Sequence, residues 1–354
     1  MTTVDGNVLG SIKIVDNGPS AARWNLVILG DGYQSGQMAQ YAVDAQRITD
    51  AILRAHPFNA LRAVINVYRV DVTSTSSGAD DPIVCGGSGA IASTYFDASF
   101  CGDGSIRRQL VANAGTALNV ANAQVPRWHA ILMIVNSAVY GGSGGAIAVI
   151  SLAAGSEEIA LHELGHVCGL GDEYEYYRGC TSGETNRNNH PAVEPHYANV
   201  TIDRNRSTIK WRDLILPTTP VPTTKNPNCT QCDPLGSPPP PLPADAVGAF
   251  EGADTFHCGA YRPQFDCKMR ALGFPFCVVC QRQIARSIGI TPVPDVLETS
   301  TAGAARAIRD AGLEPVFKGT DGPGAWVWRQ HPPPDSIAKY GSEVQVVLRT
   351  GPIP

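Results

Sequence analysis

Two histidines and a glutamate lie close together near the middle of the 354-residue chain, in the segment "ALHELGHVCGLGDEYEYY". His162 and His166 are four residues apart, so on a helix they share one face about one turn apart and can bind the same metal ion. Glu163 projects near that face, where it can take a proton from a water activated by the metal. The spacing therefore predicts a hydrolytic zinc site.

The residues that follow offer a third ligand. Gly169 permits a left-handed backbone, which ends a helix and reverses the chain. Asp172 lies three residues further on, where the extended zincin signature has its third ligand, usually a histidine. Because carboxylate oxygen also binds zinc, we predict His162, His166 and Asp172 as zinc ligands, a fourth position open to water, and Glu163 as catalytic base.

Two parts of this prediction have alternatives. The third ligand can instead be a later glutamate, and the candidates are Glu173, Glu184, Glu194 and Glu251. The extended signature also requires a methionine-bearing turn beneath the metal. Met269, in "YRPQFDCKMRALGF", is the only methionine after the motif, and we predict it as that turn. The alternative is a methionine that simply fills the core.

Strands and helices alternate along the part of the chain that leads to the motif. Apolar runs predict buried strands at 23–33, 63–72, 129–137 and 146–151. Helical spacing predicts helices at 35–57 and 105–124, and a third that carries the histidines and starts near Ser156. This alternation indicates an α/β (α+β) fold in which one mixed, twisted sheet is backed by helices.

A change in composition divides the rest of the chain. The segment at about 214–246 is dominated by proline, threonine and polar turn residues, and is predicted to be a surface insertion. Pro292 and Pro294 then mark a boundary. We predict a catalytic domain at 1–290 and a small α+β domain at 291–354, which is short but long enough to fold.

Charge and hydropathy restrict the partners. A formal net charge of −5 without a lysine or arginine run gives no indication of nucleic acid or an anionic membrane as partner. No stretch is long and apolar enough to span a bilayer.

Asp80 and Asp81 offer oxygen ligands for calcium, although a solvated loop explains them better.

The ten cysteines suit an oxidising compartment, whereas no cleavable signal peptide is visible at the start of the sequence. We expect a secreted or cell-surface protein of a bacterium, with a cytoplasmic location left open. Cys85 and Cys101 flank a glycine-rich loop and are expected to form a disulfide. Two Cys-x-x-Cys pairs form either disulfides or one four-cysteine structural zinc site, namely Cys229 with Cys232 and Cys277 with Cys280.

Several long segments resemble the IgA-protease-like metallopeptidases, a metzincin-type zinc peptidase family. They are "ILGDGY", "PFNALRAVINVYRVDVTSTSSGADDP", "NSAVYGGSGG", "HELGHVCGLGDEY", "ANVTIDRNRSTIKW", "FEGADTFHCGAYRPQFDCKMR" and "FCVVC". The resemblance implies a metzincin-like zincin domain that cleaves protein or peptide substrates as an endopeptidase, with the ligands, base and methionine turn already named. It also implies that "NSAVYGGSGGAIAV" forms an edge strand above the cleft, able to hold an extended peptide.

The chain departs from that family at one position. Many metzincins have a tyrosine two residues after the turn methionine, and Ala271 stands there instead. A tyrosine that stabilises the transition state must then come from elsewhere. Tyr174 and Tyr261 are candidates, with a structural role as the alternative for each. Two other functions stay open: a zinc amidase acting on cell-wall peptides, and a zinc-containing wall-binding protein without activity.

The tail resembles a PASTA domain. The matching segments are "VPDV", "AARAIRDAGLEP", "WVWRQHPPP" and "YGSEVQVVLRTG". The glycine that usually follows the proline segment is Asp335 here. The resemblance implies cell-wall fragments as a ligand, and a purely structural appendage is the alternative.

Overall fold

The main sheet is mixed and six-stranded in the computed structural model, which describes residues 5–175, 188–229 and 240–351. Its strands are β1 (Gly6–Val15), β2 (Trp24–Asp31), β3 (Ile65–Ser74), β4 (Ala130–Val135), β5 (Gly142–Ser143) and β6 (Ala148–Ser151). The strand order is β1-β3-β2-β4-β6-β5. The four inner strands are parallel, and β1 and β5 are antiparallel at the two edges. The predicted mixed α and β architecture is confirmed.

Helices cover both faces of this sheet. Side chains of α1 (Met38–Arg54), α3 (Ser156–Val167) and α4 (Val278–Ile288) share one apolar core, and α2 (Ala114–Gln124) contributes to the other. Successive β2 side chains enter opposite cores, so β2 is buried throughout. This explains its unbroken apolar run. Of the helices described, none is long and apolar enough to cross a membrane.

The second helix is shorter than predicted. Its first residue is Ala114, because the side chain of Asn113 caps it by accepting a hydrogen bond from the Thr116 N–H. The preceding residues, predicted as helical from 105 onward, form turns instead. The carboxylate of Asp103 accepts hydrogen bonds from two backbone N–H groups just after it, which stabilises a turn at the expense of the helix. The segment lies beside β5, where Gln109 forms an isolated bridge with Gly142.

A β-hairpin later in the chain than the histidine motif forms bridges to the segments that follow the motif. It consists of β7 (Phe250–Ala253) and β8 (Phe256–Arg262). Isolated bridges join Glu175 to Thr255 and Thr201 to Tyr261. The loop that follows the motif is thereby attached to a hairpin much further along the chain.

Two disulfides are present in the described residues. Cys85 is bonded to Cys101, as expected, and Cys229 is bonded to Cys258 of β8. The second bond excludes the four-cysteine zinc site that was considered as the alternative to disulfides, because Cys229 is already bonded to another sulfur. Cys232, the other cysteine of the same Cys-x-x-Cys pair, lies outside the described residues. The correct partner is 29 residues away in sequence, a pairing that local spacing does not reveal.

The two aspartates considered for calcium bond to protein groups. Asp81 accepts hydrogen bonds from Arg107 at 2.7 and 2.9 Å, and Asp80 accepts one from the Ala92 N–H at 2.7 Å. The hydrogen bonds from Arg107 hold the pKa of the Asp81 carboxyl well below its usual range, although burial acts in the opposite direction. Both carboxylates organise the loop, so the structure does not support the calcium prediction.

The tail contains its own small sheet. Its elements are β9 (Ile290–Pro292), α5 (Thr301–Asp310), β10 (Glu314–Gly319), β11 (Trp326–His331), β12 (Ile337–Lys339) and β13 (Glu343–Arg349). β13 is central, parallel to β10 and antiparallel to β11, while β12 pairs with β9. Asp335 has a φ of 62°, in the left-handed region where glycine is the least strained residue. That backbone conformation explains why the position is usually glycine.

Candidate metal centre and cleft

The helix with the two histidines ends as the sequence predicts. α3 stops at Val167, and Gly169 follows with a φ of 85°. The Gly169 N–H donates to the His166 carbonyl, and the Leu170 N–H reaches back to the Gly165 carbonyl at 3.0 Å. These bonds satisfy carbonyls at the helix end and reverse the chain. The next residues therefore return towards the histidines.

Three ligand atoms converge where the chain returns. His162 Nε2 lies 3.2 Å from both His166 Nε2 and Asp172 Oδ1, and His166 Nε2 lies 3.3 Å from the same oxygen. The other ring nitrogens face carbonyls: Nδ1 of His162 is 3.0 Å from Lys268 O, and Nδ1 of His166 is 2.9 Å from Leu170 O. Because carbonyls only accept, both Nδ1 atoms donate, and each Nε2 is free to bind a cation.

This geometry fits a metal ion. With both rings neutral and protonated on Nδ1, the buried Oδ1 of Asp172 has no hydrogen-bond donor among the residues that the structure describes. A cation is needed to stabilise it beside two nitrogen lone pairs. Tetrahedral zinc with bonds of about 2.0–2.1 Å sets its ligand atoms about 3.3 Å apart, which matches the observed triangle. Metal binding by these three residues stays a prediction, and the geometry is compatible with it.

A proton is the competing cation. Burial lowers the pKa of His166, but the hydrogen bond and charge of Asp172 outweigh this and raise that pKa to about 9. Burial would raise the pKa of Asp172, and the hydrogen bonds from the two histidines instead hold that pKa well below its usual range. A metal ion must therefore displace a proton, so its affinity for the site falls as pH decreases.

Glu163 lies beside the triad and is 8% exposed. Its Oε2 is 3.9 Å from His166 Nε2, and burial raises the pKa of its carboxyl. Glycines allow the edge of the sheet to approach it. A Cβ on Gly142 would come within 2.9 Å of Glu163 Oε1, and a Cβ on Gly144 would come within 2.5 Å of the His166 side chain. The backbone of β5 and of the residue after it therefore lies directly against both functional side chains.

Met269 lies beneath the motif helix, where the signature expects its methionine. It is fully buried, and its Sδ is 2.6 Å from the position of a Cβ on Gly165. Its carbonyl accepts a hydrogen bond from the Glu173 N–H at 2.8 Å. The preceding residue, Lys268, provides the carbonyl that orients His162. The turn thus supports the triad from below, and its role as the methionine turn stays a prediction.

The rival third ligands have other partners. Glu194 pairs with Lys210, and Glu251 accepts hydrogen bonds from backbone N–H groups. Glu173 points away from the histidines into a group of cysteines. Glu184 lies outside the described residues. Of the candidates that the structure describes, only Asp172 reaches the histidines.

His162, His166 and Asp172 line a cleft of about 760 Å³. Tyr174 lines it, with its ring centroid 6.5 Å from that of His162, and burial and the charge of Asp172 raise the pKa of its hydroxyl. Tyr261 is buried elsewhere, with its hydroxyl 3.4 Å from Glu251. The structure thus brings only one of the two candidate tyrosines to the cleft.

Sequence reasoning missed two other residues of the cleft wall, Arg108 and His196. Arg108 lies in the segment predicted as helical, which instead runs beside β5, where the Gly142 N–H donates to the Arg108 carbonyl at 3.0 Å. His196 has no metal-ligand spacing in the sequence. No local pattern marks either residue, because both reach the cleft through the path of the chain.

A buried asparagine fixes the loop that carries Asp172. Asn199 accepts a hydrogen bond from the Gly171 N–H and donates to both the Gly171 carbonyl and Glu173 Oε1, each at 2.8 Å. The carbonyl of Asp172 itself accepts from the Asp254 N–H at 2.8 Å. The one available signal for Asn199 was its place in "ANVTIDRNRSTIKW", a segment of the family resemblance.

Replacement of this asparagine should weaken metal binding. In Asn199→Ala the loop loses three hydrogen bonds, so we expect the affinity of the triad for zinc to fall by about 10–100-fold. Competition with a chromophoric chelator measures this affinity. Asn226→Ala is the matched control, because Asn226 is also buried and bonds to the His257 carbonyl but lies outside the cleft. Unchanged affinity in Asn199→Ala would contradict a positioning role.

Two family models match different parts of the chain. The family model described as IgA Peptidase M64 matches residues 12–231 and 242–288, which is most of the chain. The chain belongs to the IgA Peptidase M64 family. The family resemblance predicted from the sequence is confirmed, and membership in this peptidase family indicates a metallopeptidase with a protein substrate.

A second family model, that of the PASTA domain, matches residues 291–350 of this M64 chain. The resemblance of the tail is thereby confirmed as well, and it suggests peptidoglycan as a ligand. No curated protein matches the chain.

Proposed function

We propose that this M64 chain is a zinc-dependent endopeptidase. The observation that carries the proposal is the convergence of His162, His166 and Asp172 at 3.2–3.3 Å, beside the buried Glu163. Two nitrogen lone pairs and a carboxylate form a donor set typical of zinc, and three protein ligands leave one position for reaction. Membership in a peptidase family favours this function over the amidase and the inactive wall-binding protein.

The side chains have distinct roles in the proposed mechanism. His162, His166 and Asp172 would hold zinc, with Lys268 and Leu170 carbonyls orienting the two rings. When bound, zinc supplies Lewis acidity, which polarises a peptide carbonyl and lowers the pKa of water. Glu163 takes the proton of the attacking water on its carboxylate and passes it to the leaving amine. Burial raises the pKa of Glu163 towards the range in which it can do both.

The edge of the sheet provides a path for an extended peptide. Gly144 and Gly145 line the cleft just beyond β5, so a substrate strand can add there as the resemblance implies. Gly142 is not available for this, because its N–H already donates to the Arg108 carbonyl. Tyr174 stands in the wall of the same cleft and is our candidate for a hydrogen bond to the substrate. The glycine turn and buried Met269 support a metzincin-like arrangement.

The tail and the disulfides support an extracellular role. We propose that the chain works as a catalytic unit at 1–290 and a PASTA unit at 291–354 that holds it on peptidoglycan. Two disulfides, Cys85–Cys101 and Cys229–Cys258, suit a secreted or cell-surface protein, because such bonds form in oxidising compartments. Sedimentation of the full chain with insoluble peptidoglycan, compared with crystalline cellulose, tests the retention.

Metal removal tests the proposed activity. Treatment with 1,10-phenanthroline should abolish cleavage of casein, and added Zn²⁺ should restore it whereas Mg²⁺ should not, because nitrogen ligands select zinc over magnesium. Mass spectrometry of the products should find cuts within the protein chain, which identifies an endopeptidase.

The same assay separates the other functions. Release of stem peptides from peptidoglycan fragments without any casein cleavage would indicate the amidase. Zinc retained in the protein, with neither substrate cleaved, would indicate a wall-binding protein. Either result would overturn the proposed endopeptidase.

A further inference from the structure

A second group of ligand atoms lies behind the Asp172 loop, away from the cleft. It contains Glu173, Cys267, Cys277 and Cys280, all at most 3% exposed. Sγ of Cys280 is 3.7 Å from Sγ of Cys267 and 3.1 Å from Oε1 of Glu173, and Sγ of Cys277 is 3.8 Å from that oxygen. All four ligand atoms lie within 4.8 Å of one another.

We propose that these four residues form a structural zinc site, separate from the catalytic triad. Zinc bonds of about 2.3 Å to sulfur and about 2.0–2.2 Å to oxygen place ligand atoms about 3.5–3.8 Å apart in a tetrahedron. Two of the three separations, 3.7 and 3.8 Å, fall within this range, and the third, 3.1 Å between Cys280 and Glu173, is shorter. Four protein ligands without solvent access are typical of a structural site, in contrast to the open triad.

Backbone donors beside two of the three sulfur atoms, those of Cys267 and Cys277, favour thiolates. Cys277 is the N-cap of α4, and its Sγ accepts from the Cys280 N–H at 3.4 Å. The Cys277 N–H donates to Sγ of Cys267 at 3.2 Å. Such bonds stabilise negative charge on sulfur, and so does the positive end of the helix dipole at the start of α4. Thiolate is the form of cysteine that binds zinc.

A hydrogen-bonded cluster without metal explains these contacts less well. Oε2 of Glu173 is fully buried and has no hydrogen-bond partner within the described part of the chain, which is unfavourable for a carboxyl oxygen. A disulfide requires sulfur atoms about 2.05 Å apart and would leave one of the three cysteines unpaired. A zinc ion satisfies the whole group.

The group lies next to residues that hold the triad, so a metal ion bound there would stabilise the region around the cleft. Glu173 directly follows Asp172, and Cys267 directly precedes Lys268, whose carbonyl orients His162. Zinc at this site would join the Asp172 loop, the methionine turn and α4. Its binding free energy would then contribute to folding of the cleft.

Metal analysis of the full chain tests the proposal without reference to activity. Wild-type protein should contain about two zinc ions per chain, and the His162→Ala/His166→Ala variant should retain about one. X-ray absorption at the zinc edge of that variant should show sulfur neighbours at about 2.3 Å. Replacement of its metal by Co²⁺ should give thiolate-to-cobalt charge-transfer absorption. Because the triad has no sulfur, this signal is independent of the proposed peptidase site.

Cysteine variants assign the ligands. Cys277→Ser/Cys280→Ser should lose the sulfur-bound zinc, whereas Cys168→Ser should keep both ions, since Cys168 is also a buried free cysteine but stands outside the group. If Cys277→Ser/Cys280→Ser does not fold, the zinc content and X-ray absorption of the His162→Ala/His166→Ala variant test the proposal instead. Absence of zinc from the folded histidine variant, zinc with only nitrogen and oxygen neighbours, or a disulfide among the three cysteines in a non-reducing peptide map would each overturn the proposal.

Discussion

Glu163→Gln should retain zinc and lose about 10²–10⁴-fold in kcat for casein cleavage. Glutamine has nearly the same shape as glutamate, so the packing of α3 against the sheet edge at Gly142 is preserved. It has no carboxylate to take the proton of the attacking water, and the position next to His166 then offers no base. A loss confined to kcat, with KM unchanged, is the expected signature of a group that acts in the transition state.

Glu157→Gln is the matched control for this variant. Glu157 lies on the same helix but pairs with Arg47, away from the cleft. Its replacement should leave kcat close to the wild-type value, because a partly exposed ion pair contributes little to stability. Cleavage by Glu163→Gln at the wild-type rate would show that another group is the base.

Asp172→Asn should lower the affinity of the triad for zinc by at least about 100-fold. This loss exceeds the one expected for Asn199→Ala, because Asn199 only positions the loop whereas Asp172 binds the metal itself. The neutral amide keeps the volume of the side chain but is a weaker ligand than a carboxylate. Activity should fall with zinc occupancy and recover in part at high zinc concentration. A competition titration followed by a cleavage assay measures both effects, and the sulfur-bound zinc should remain.

Asp254→Asn controls for changes in the loop. The backbone N–H of Asp254 holds the Asp172 carbonyl and is unaffected, while the side chain that pairs with His190 loses its charge. We expect normal zinc affinity. Unchanged affinity in Asp172→Asn itself would indicate another third ligand, and Glu184 would be the remaining candidate, since the described glutamates have other partners.

The four inner strands of the sheet were predictable because they are read from local patterns, whereas the edge strand β1 was not predicted. β2 and β4 are continuous apolar runs, and the helix after β2 has clear helical spacing. The helix predicted over 105–124 was half wrong for a physical reason. Asn113 and Asp103 bond to nearby backbone N–H groups, and this stabilises a cap and a turn in residues whose composition also suits a helix.

The sequence by itself determined the arrangement of the candidate metal centre. All its members lie within 162–172, where helical spacing and one left-handed glycine are enough to bring three ligand atoms together. Only the tertiary structure decided what surrounds this centre. Asn199, the Cys229–Cys258 disulfide and the group of Glu173 with three cysteines join segments far apart in sequence. Local spacing carries no information on such contacts, because they depend on the path of the whole chain.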